Sequence, residues 1–418
     1  MFEWSETDLM VRDAVRAFID REIRPNLDAL DSGEMLPYPI LTKLFAEFGI
    51  AAMATDALEK QLAAEEAEAD GTADEASKAA GKRAAAANAE QQSMMAVLVS
   101  ELSGVCLGLV SALGVSTGLG AATIQARGTL AQKKRWLPEL VTMEKVASWA
   151  ITEPDSGSDA FGGMKTYVRR DGEDYILNGQ KTFITNGPFA DVIVVYAKLD
   201  EGDASVDKRD RKVLTFVLDK GMEGLTQGKP FKKMGLHSSP TGELFFDNVR
   251  LGRDRLLGET EEHRGGDGRE SARTNFVAER VGVTFQALGI IEECHRLCVD
   301  YAKNRKLWGQ EIGRFQLVQL KLAKMEIARV NVRNMVFNVI ERTRAGKPLS
   351  LAEASAMKLY SSETATDVAM EAVQLFGGNG YMSEYRVEQL ARDAKSLMIY
   401  AGSNEIQVTH IAKGLLGR

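Results

Sequence analysis

Apolar positions in the first third of the chain recur at helical spacing. From Glu6 to Leu30 they fall at Leu9, Val11, Val15, Phe18, Ile19 and Ile23 with charges between them, which predicts an amphipathic helix. A second run, Leu41 to Phe48, ends in Gly49, a helix stop. Residues 57–91 break the pattern: Ala, Glu and Lys dominate, Gly71, Thr72 and Gly81 interrupt, and little is available to bury. That stretch reads as an insertion, helical or mobile. From Met94 to Gly128 the chain turns strongly apolar and rich in small residues, with Ser100, Gly104, Gly108, Ser111, Gly114, Gly118 and Gly120. Small side chains let a helix approach a neighbouring helix or a ligand, so a buried central helix is expected, lining a ligand site, packing tightly, or both. Gln132 to Leu140 forms a short amphipathic helix that closes the first domain.

At Val146 the period changes. Tyr167-Val-Arg-Arg, Tyr175-Ile-Leu, Thr182-Phe-Ile-Thr, Val192-Ile-Val-Val-Tyr, Val213-Leu-Thr-Phe-Val-Leu and Leu244-Phe-Phe are β-branched or aromatic runs of strand length, separated by Asp-Gly, Asn-Gly and glycine-rich turns. Such turns join neighbours, so an antiparallel barrel or sandwich is predicted and not a parallel Rossmann sheet. After Leu256-Leu-Gly258, the polar stretch Glu259 to Arg273 reads as a linker or surface loop. Phe276 to Arg418 is helical again, broken by Gly346-Lys-Pro348 and Gly377-Gly-Asn-Gly380. The class is α+β and multidomain: an N-terminal α-helical domain over 1–145, a middle β domain over 146–253 and a C-terminal α-helical bundle over 254–418.

A chain of 418 residues fits two or three domains. Its net charge of -7 and the lack of a basic face argue against nucleic acid as a partner. No apolar run is judged long enough to span a bilayer, and acids stand near Met1 where a targeting peptide would carry bases, so no membrane role and a cytoplasmic location are expected. Three cysteines, Cys106, Cys294 and Cys298, cannot make a disulfide framework. Cys294, His295 and Cys298 do not complete a metal set, and core thiols are the better reading.

Two segments of the β region end in small hydroxyl and glycine residues: Trp149-Ala-Ile-Thr-Glu-Pro-Asp-Ser-Gly-Ser-Asp159 and Asn178-Gly-Gln-Lys-Thr-Phe-Ile-Thr-Asn-Gly187. Each leaves backbone N–H groups and hydroxyl oxygens facing something polar and planar, for which a flavin is one reading and a plain hairpin turn the other. Farther on, Tyr301-Ala-Lys-Asn-Arg305-Lys-Leu-Trp308-Gly309 is followed by Ile312, Phe315 and Gln316. An arginine offers a bidentate fork to phosphate oxygens, although a lone helical arginine is usually a solvated charge. Gln374-Leu-Phe-Gly-Gly378 follows, and since no strand precedes its glycines it is no dinucleotide loop. Tyr400-Ala-Gly-Ser-Asn-Glu405 opens the last helix, where Gly402 permits close approach and Ser403 and Asn404 stand at an N-terminus suited to an anion.

Together and in this order, these segments closely resemble the acyl-CoA dehydrogenase family over most of the chain. The resemblance implies FAD as cofactor, with Trp149, Ile151, Thr152, Gly157 and Ser158 of the first segment and Phe183 and Thr185 of the second around the ring. Phe183 stands where tryptophan is usual; it can still stack but lacks an indole N–H. Arg305, Trp308, Ile312, Phe315 and Gln316 then serve the pyrophosphate and adenosine, together with Ser403 and Glu405. In the family the Gln374 to Gly378 segment reaches the flavin of a neighbouring subunit, which implies a homotetramer, a dimer of dimers. A short Pro-Glu-Glu-Tyr-Gly-Gly type of loop, usual near residues 57–91, is missing.

A second departure concerns the base. The family's usual segment is Tyr-Glu-Gly-Thr, and its glutamate removes the substrate α-proton; here that position is Ala401. A thioester α-proton is too weakly acidic to leave unaided. A minority branch, including isovaleryl- and long-chain acyl-CoA dehydrogenases, takes the carboxylate from a different helix, directly before an arginine 25 residues ahead of the flavin arginine. Glu279-Arg280 stands at that spacing from Arg305. By this resemblance Glu279 is the base, the backbone N–H of Ala401 and a flavin ribityl hydroxyl polarise the thioester carbonyl, and Ser158 and Arg280 contact substrate. The expected activity is α,β-dehydrogenation of an acyl-CoA to trans-2-enoyl-CoA, with electrons passed to electron-transfer flavoprotein. The alternatives are an enoyl-CoA reductase, a flavin monooxygenase, or a flavin-binding protein without turnover.

Overall fold

Capping chemistry sets where the first helices start and stop. In the computed structural model, which describes residues 3–69, 75–203, 205–262 and 266–417, α1 (Glu6–Phe18) opens on a capping box. Ser5 Oγ accepts the Asp8 N–H at 3.1 Å and the Asp8 carboxylate accepts the Ser5 N–H at 3.0 Å. The apolar period continues past Phe18, but Pro25 has no N–H to donate. The chain therefore passes through a π turn (Ile19–Ile23) and a 3-10 turn (Arg24–Asn26) into α2 (Leu27–Ser32). α3 (Tyr38–Glu47) stops before Gly49, at φ +65°, and α4 (Ile50–Ala69) follows at once.

Residues 57–91 are helical wherever described, in α4 and the first part of α5 (Glu75–Leu113); 70–74 lie outside the described residues. They also bury more than their composition implies. Leu58 and Leu62 pack in one cluster with Trp136, Leu137 and Leu140 of α7 (Leu130–Val141), and Glu65 pairs with Lys133 at 2.7 Å.

The apolar stretch is the central helix that was expected. α5 runs through a π-helical segment, Gly114–Ala121, into α6 (Ala122–Arg127). Contrary to the sequence reading, Gln91–Arg127 is long and apolar enough to cross a bilayer, yet 83% of its apolar window is buried inside the protein. Close crossings explain the small residues. A Cβ built at Gly104 would lie 2.8 Å from the Gly289 carbonyl oxygen, one at Gly289 2.0 Å from that of Ser100, and one at Gly108 2.1 Å from Ser238 Oγ. At Gly114 and Gly118 a Cβ would meet nothing within 4 Å. Gly104 and Gly108 are thus packing positions, Gly114 and Gly118 leave room, and Gly120, whose Cβ would lie 2.5 Å from that of Ala147, packs closely again.

The middle domain is one curled sheet built from β1 (Ala147–Ala150), β2 (Tyr167–Asp171), β3 (Asp174–Thr185), β4 (Val192–Leu199), β5 (Val213–Asp219), β6 (Leu225–Gln227) and β7 (Thr241–Leu251). Its order is β1-β4-β2-β3-β7-β6, with β5 on the other edge of β4. Most pairings are antiparallel, as expected, but β1 and β2 run parallel to the two ends of β4. The Asn178-Gly179 pair, read from the sequence as a turn, is instead an irregularity within β3, where the register against β7 shifts. Gly179 sits at φ +143° and a Cβ there would strike Thr166 Oγ1 at 2.5 Å, so a close strand crossing requires the glycine.

The C-terminal bundle begins earlier than its apolar pattern indicates. Asp267 accepts the Arg269 N–H at 2.9 Å and starts α8 (Gly268–Asn304), so part of the polar stretch is helix and not linker. Around α8 pack α9 (Gln316–Arg344), α10 (Leu351–Phe376), α11 (Val387–Leu397) and α12 (Asn404–Leu416). Cys294 and Cys298 are free thiols of this core and Cys106 of the N-terminal one, while His295 pairs with Glu326 at 3.1 Å.

Candidate active site

The two strand segments are bound to each other by a buried ion pair. Lys181 Nζ, 0% exposed, donates to Glu153 Oε1 at 2.8 Å and to the Ile151 carbonyl at 2.9 Å, and the Thr182 N–H donates to the Thr152 carbonyl at 2.9 Å. Glu153 also accepts the Lys165 and Thr166 N–H groups at 2.6 and 3.0 Å. Burial alone would raise the Glu153 pKa, but Lys181 and these donors outweigh it and hold the carboxyl below its usual range. Burial pulls Lys181 down to about 8, which leaves it charged at neutral pH. Both residues stood inside the motifs, yet sequence reasoning passed over them because nothing in a sequence says that two charges will be buried together.

Beside this clamp Thr152 is half-buried and Phe183 exposed, whereas Ile151, expected at the ring, is 5% exposed and packs into the core cluster with Trp136 and Val194. Phe183 has φ +57° and is 68% exposed, tilted against Phe231 with ring centroids 5.8 Å apart. An exposed aromatic residue in a left-handed backbone conformation costs free energy, which marks a position shaped for something other than stability. Thr185 is half-buried, and Gly157 and Ser158 are exposed at the tip of the first segment. Trp149 donates from Nε1 to Tyr196 Oη at 3.2 Å and meets Phe276 of α8 edge-to-face at 6.2 Å. Phe276 lies three residues before Glu279, so the sheet segment faces the helix that carries the candidate base.

Glu279 is half-buried and makes no hydrogen bond or ion pair among the described residues. Desolvation raises its pKa to about 7, against the opposing pull of Arg280 and Lys358. Such a group is poised to exchange a proton near neutral pH. Arg280, 2% exposed, turns into the bundle, donates from Nη1 to Ser355 Oγ at 3.0 Å and lies over the Phe276 ring at 5.7 Å. It sits beneath the cleft surface.

The Tyr400–Asn404 turn adjoins this pair. A Cβ at Gly402 would lie 3.6 Å from Arg280 Nη2, and Glu279 acts electrostatically on Tyr400, whose Oη donates to Gln286 Oε1 at 2.6 Å. Ala401 has φ +57° and Gly402 +79°. The Ala401 N–H has no acceptor among the described residues, so it is free to donate to a ligand. Ser403 is half-buried and Glu405 exposed at the start of α12.

The remaining candidates form a second cluster at the far end of α8. Arg305 ends that helix and enters a two-residue hairpin turn, Trp308 (φ +48°) and Gly309 (φ +76°), between Lys306–Leu307 and Gln310–Glu311. Trp308 is 87% exposed and packs edge-to-face on Phe315 at 5.6 Å; Ile312 is buried and Gln316 exposed. Tyr301 stacks on Phe376 at 4.0 Å and accepts the Asn379 Nδ2 hydrogen at 3.0 Å, which brings exposed Gln374 and Gly378 alongside. Glu279 and Asn304 are separated by roughly 38 Å of helix, more than a small domain's diameter. One chain does not bring the two clusters together.

A separate concavity lined by Pro154, Asp155, Lys165, Gln180 and Phe245 includes none of the Glu279 group. The exposed Phe183 face, the strand backbone at Thr152 and the free N–H of Ala401 are groups whose chemistry fits a flavin with a thioester beside it.

Known proteins resemble the chain over nearly its whole length. Models of the acyl-CoA dehydrogenase N-terminal, middle and C-terminal domains match residues 5–144, 148–249 and 266–416. The chain is 32% identical to the 3-(aryl)acrylate reductase of Clostridium sporogenes over 99% of both chains. It matches the structure of butyryl-CoA dehydrogenase from Megasphaera elsdenii with a TM-score of 0.82, 31% identity and 100% coverage of both chains. A chain of the structure described as "Electron transferring flavoprotein of Acidaminococcus fermentans: Towards a mechanism of flavin-based electron bifurcation" matches with a TM-score of 0.81, 30% identity and 100% coverage of both.

Proposed function

Because the chain belongs to the acyl-CoA dehydrogenase family, we propose that Glu279 is the base with which it dehydrogenates an acyl-CoA thioester to the trans-2-enoyl-CoA. The cofactor is FAD, which when bound supplies the acceptor for the hydride that leaves the β-carbon. The observation that carries the reading is an unpaired, half-buried carboxylate with its pKa raised to about 7, beside the free N–H of Ala401. The Ala401 N–H polarises the thioester carbonyl, so charge developing on that oxygen meets a preset donor. Glu279 takes the α-proton, and an acyl chain covering it excludes water and strengthens it as a base. Phe183 and Trp149 would help to hold the ring.

The far cluster of Arg305, Trp308, Ile312, Phe315 and Gln316, with Gln374 and Gly378, serves the dinucleotide end from a second copy of the chain. This is supported by the length of α8 between the two clusters and by apolar residues left exposed on α9, Leu317, Leu320 and Ile327. The assembly proposed is a dimer of dimers, and the proposed oxidant is electron-transfer flavoprotein, in line with the similarity to the Acidaminococcus chain. The name of the Clostridium relative favours a second reading, in which a protonated Glu279 would deliver its proton to the α-carbon of an enoyl thioester, the β-carbon taking the hydride that a reduced FAD would supply.

The test mixes the yellow holoprotein anaerobically with a panel of acyl-CoAs and identifies the products. Wild type bleaches and yields an enoyl-CoA; Glu279→Gln keeps its flavin but is not reduced. Normal bleaching in that variant refutes the assignment of the base.

A further inference from the structure

The turn that carries Ala401 rests on a fully buried lysine outside every motif. Lys358 of α10 is 0% exposed, and its Nζ donates to the Gly402 carbonyl at 2.9 Å and to Asn404 Oδ1 at 2.8 Å. Asn404 Oδ1 also accepts from Ser362 Oγ at 3.1 Å. From the other side, Gln407 Nε2 donates to the carbonyls of Ala401 at 3.0 Å and Gly402 at 2.6 Å. The two peptide planes that follow Ala401 are thereby fixed from α10 and α12, and with them its left-handed φ.

We propose that Lys358 is a positioning residue for the reaction, holding the turn so that the free Ala401 N–H meets the thioester carbonyl and presenting a buried cation to Glu279. This rests on the reading of Glu279 as the base. A structural crosslink alone would not need a charge, since a neutral amide can donate to the same two oxygens, and burying an ammonium is costly. The groups that bear on Lys358 are Arg280 and Glu279 from α8, Glu405 from α12 and Glu363 from α10 itself. Burial first, then Arg280, lowers its pKa to about 8, while the three carboxylates oppose that fall, so it is a cation at neutral pH.

The two roles separate by substitution in the holoenzyme. Lys358→Gln keeps a donor but deletes the charge; Lys358→Arg keeps the charge but its planar fork does not fit two oxygens set for an ammonium. Carbonyl polarisation is read without turnover from the red shift of a bound aromatic enoyl-CoA, cinnamoyl-CoA. Lys358→Gln is expected to keep that red shift while the acid limb of the kcat/KM profile moves up by about one pH unit. Lys358→Arg is expected to keep the acid limb, lose the red shift and lower kcat by roughly tenfold or more, with KM changing less. A wild-type acid limb in Lys358→Gln, or a wild-type red shift and kcat in Lys358→Arg, overturns the proposal. Glu279→Gln run alongside separates the two readings: if it still turns over, the base is misassigned, while the red-shift comparison continues to judge the positioning role.

Discussion

At the scale of single residues, this chain splits between two positions what the family's usual segment joins in one. The turn residue Ala401 keeps only a backbone donor, and in the proposed reading the carboxylate comes from Glu279 on α8. Raising a carboxyl pKa from 4.5 to about 7 has a stability consequence with a definite sign. The folded chain retains a proton there that the unfolded chain has lost, so this group lowers stability as pH rises through that window and leaves it lowered above. Glu279→Gln should therefore match wild type near pH 4 and exceed it at pH 8 by up to about 3 kcal/mol, checked by urea unfolding at the two pH values. The sequence singles out Glu279 as a candidate because Ala401 leaves a role unfilled at a spacing that Glu279 and Arg280 supply. Lys358, Lys181 and Glu153 were not legible there. Their partners lie 28 to 46 residues away, and a lysine or glutamate in a sequence is by default a solvated charge.

At the scale of elements, the two periods carried most of the fold, and the failures sit where backbone geometry overrides them. Asn178-Gly179 has turn composition but irregularly pairs within a strand, because the close approach of Thr166 demands a glycine. Arg305 to Glu311 has the polarity of a helix surface, and positive φ at Trp308 and Gly309 makes it a hairpin. The apolar run of α5 and α6 was expected to be too short to span a membrane; its length is sufficient, and packing against other helices explains its hydrophobicity. The crossing at Gly104 and Gly289 is where that packing is least forgiving. Gly289→Ala places a Cβ 2.0 Å from the Ser100 carbonyl oxygen, which backbone cannot yield without α5 and α8 parting. A loss of about 1–3 kcal/mol is expected by chemical denaturation, with a matching loss at Gly104→Ala and none at Gly118→Ala, where space is open.

At the scale of the molecule, the Glu279 and Arg305 clusters lie roughly 38 Å apart along α8, which is why the proposed cofactor site is shared between two copies. Charging the exposed face of α9, as in Leu317→Lys with Ile327→Lys, should give a smaller species by light scattering and release flavin on gel filtration, although neither residue lies in the Glu279 cleft. None of this was legible beyond the resemblance, since an exposed leucine and a core leucine look alike in a helical pattern.

The uninterrupted run of α8 also dictates where this chain can grow or shrink. One residue added between Glu279 and Arg305 would advance everything beyond it by about 1.5 Å and swing it by roughly 100°, so in the proposed assembly it would turn an anchor away from one copy's cofactor while the proposed proton acceptor of another stays put.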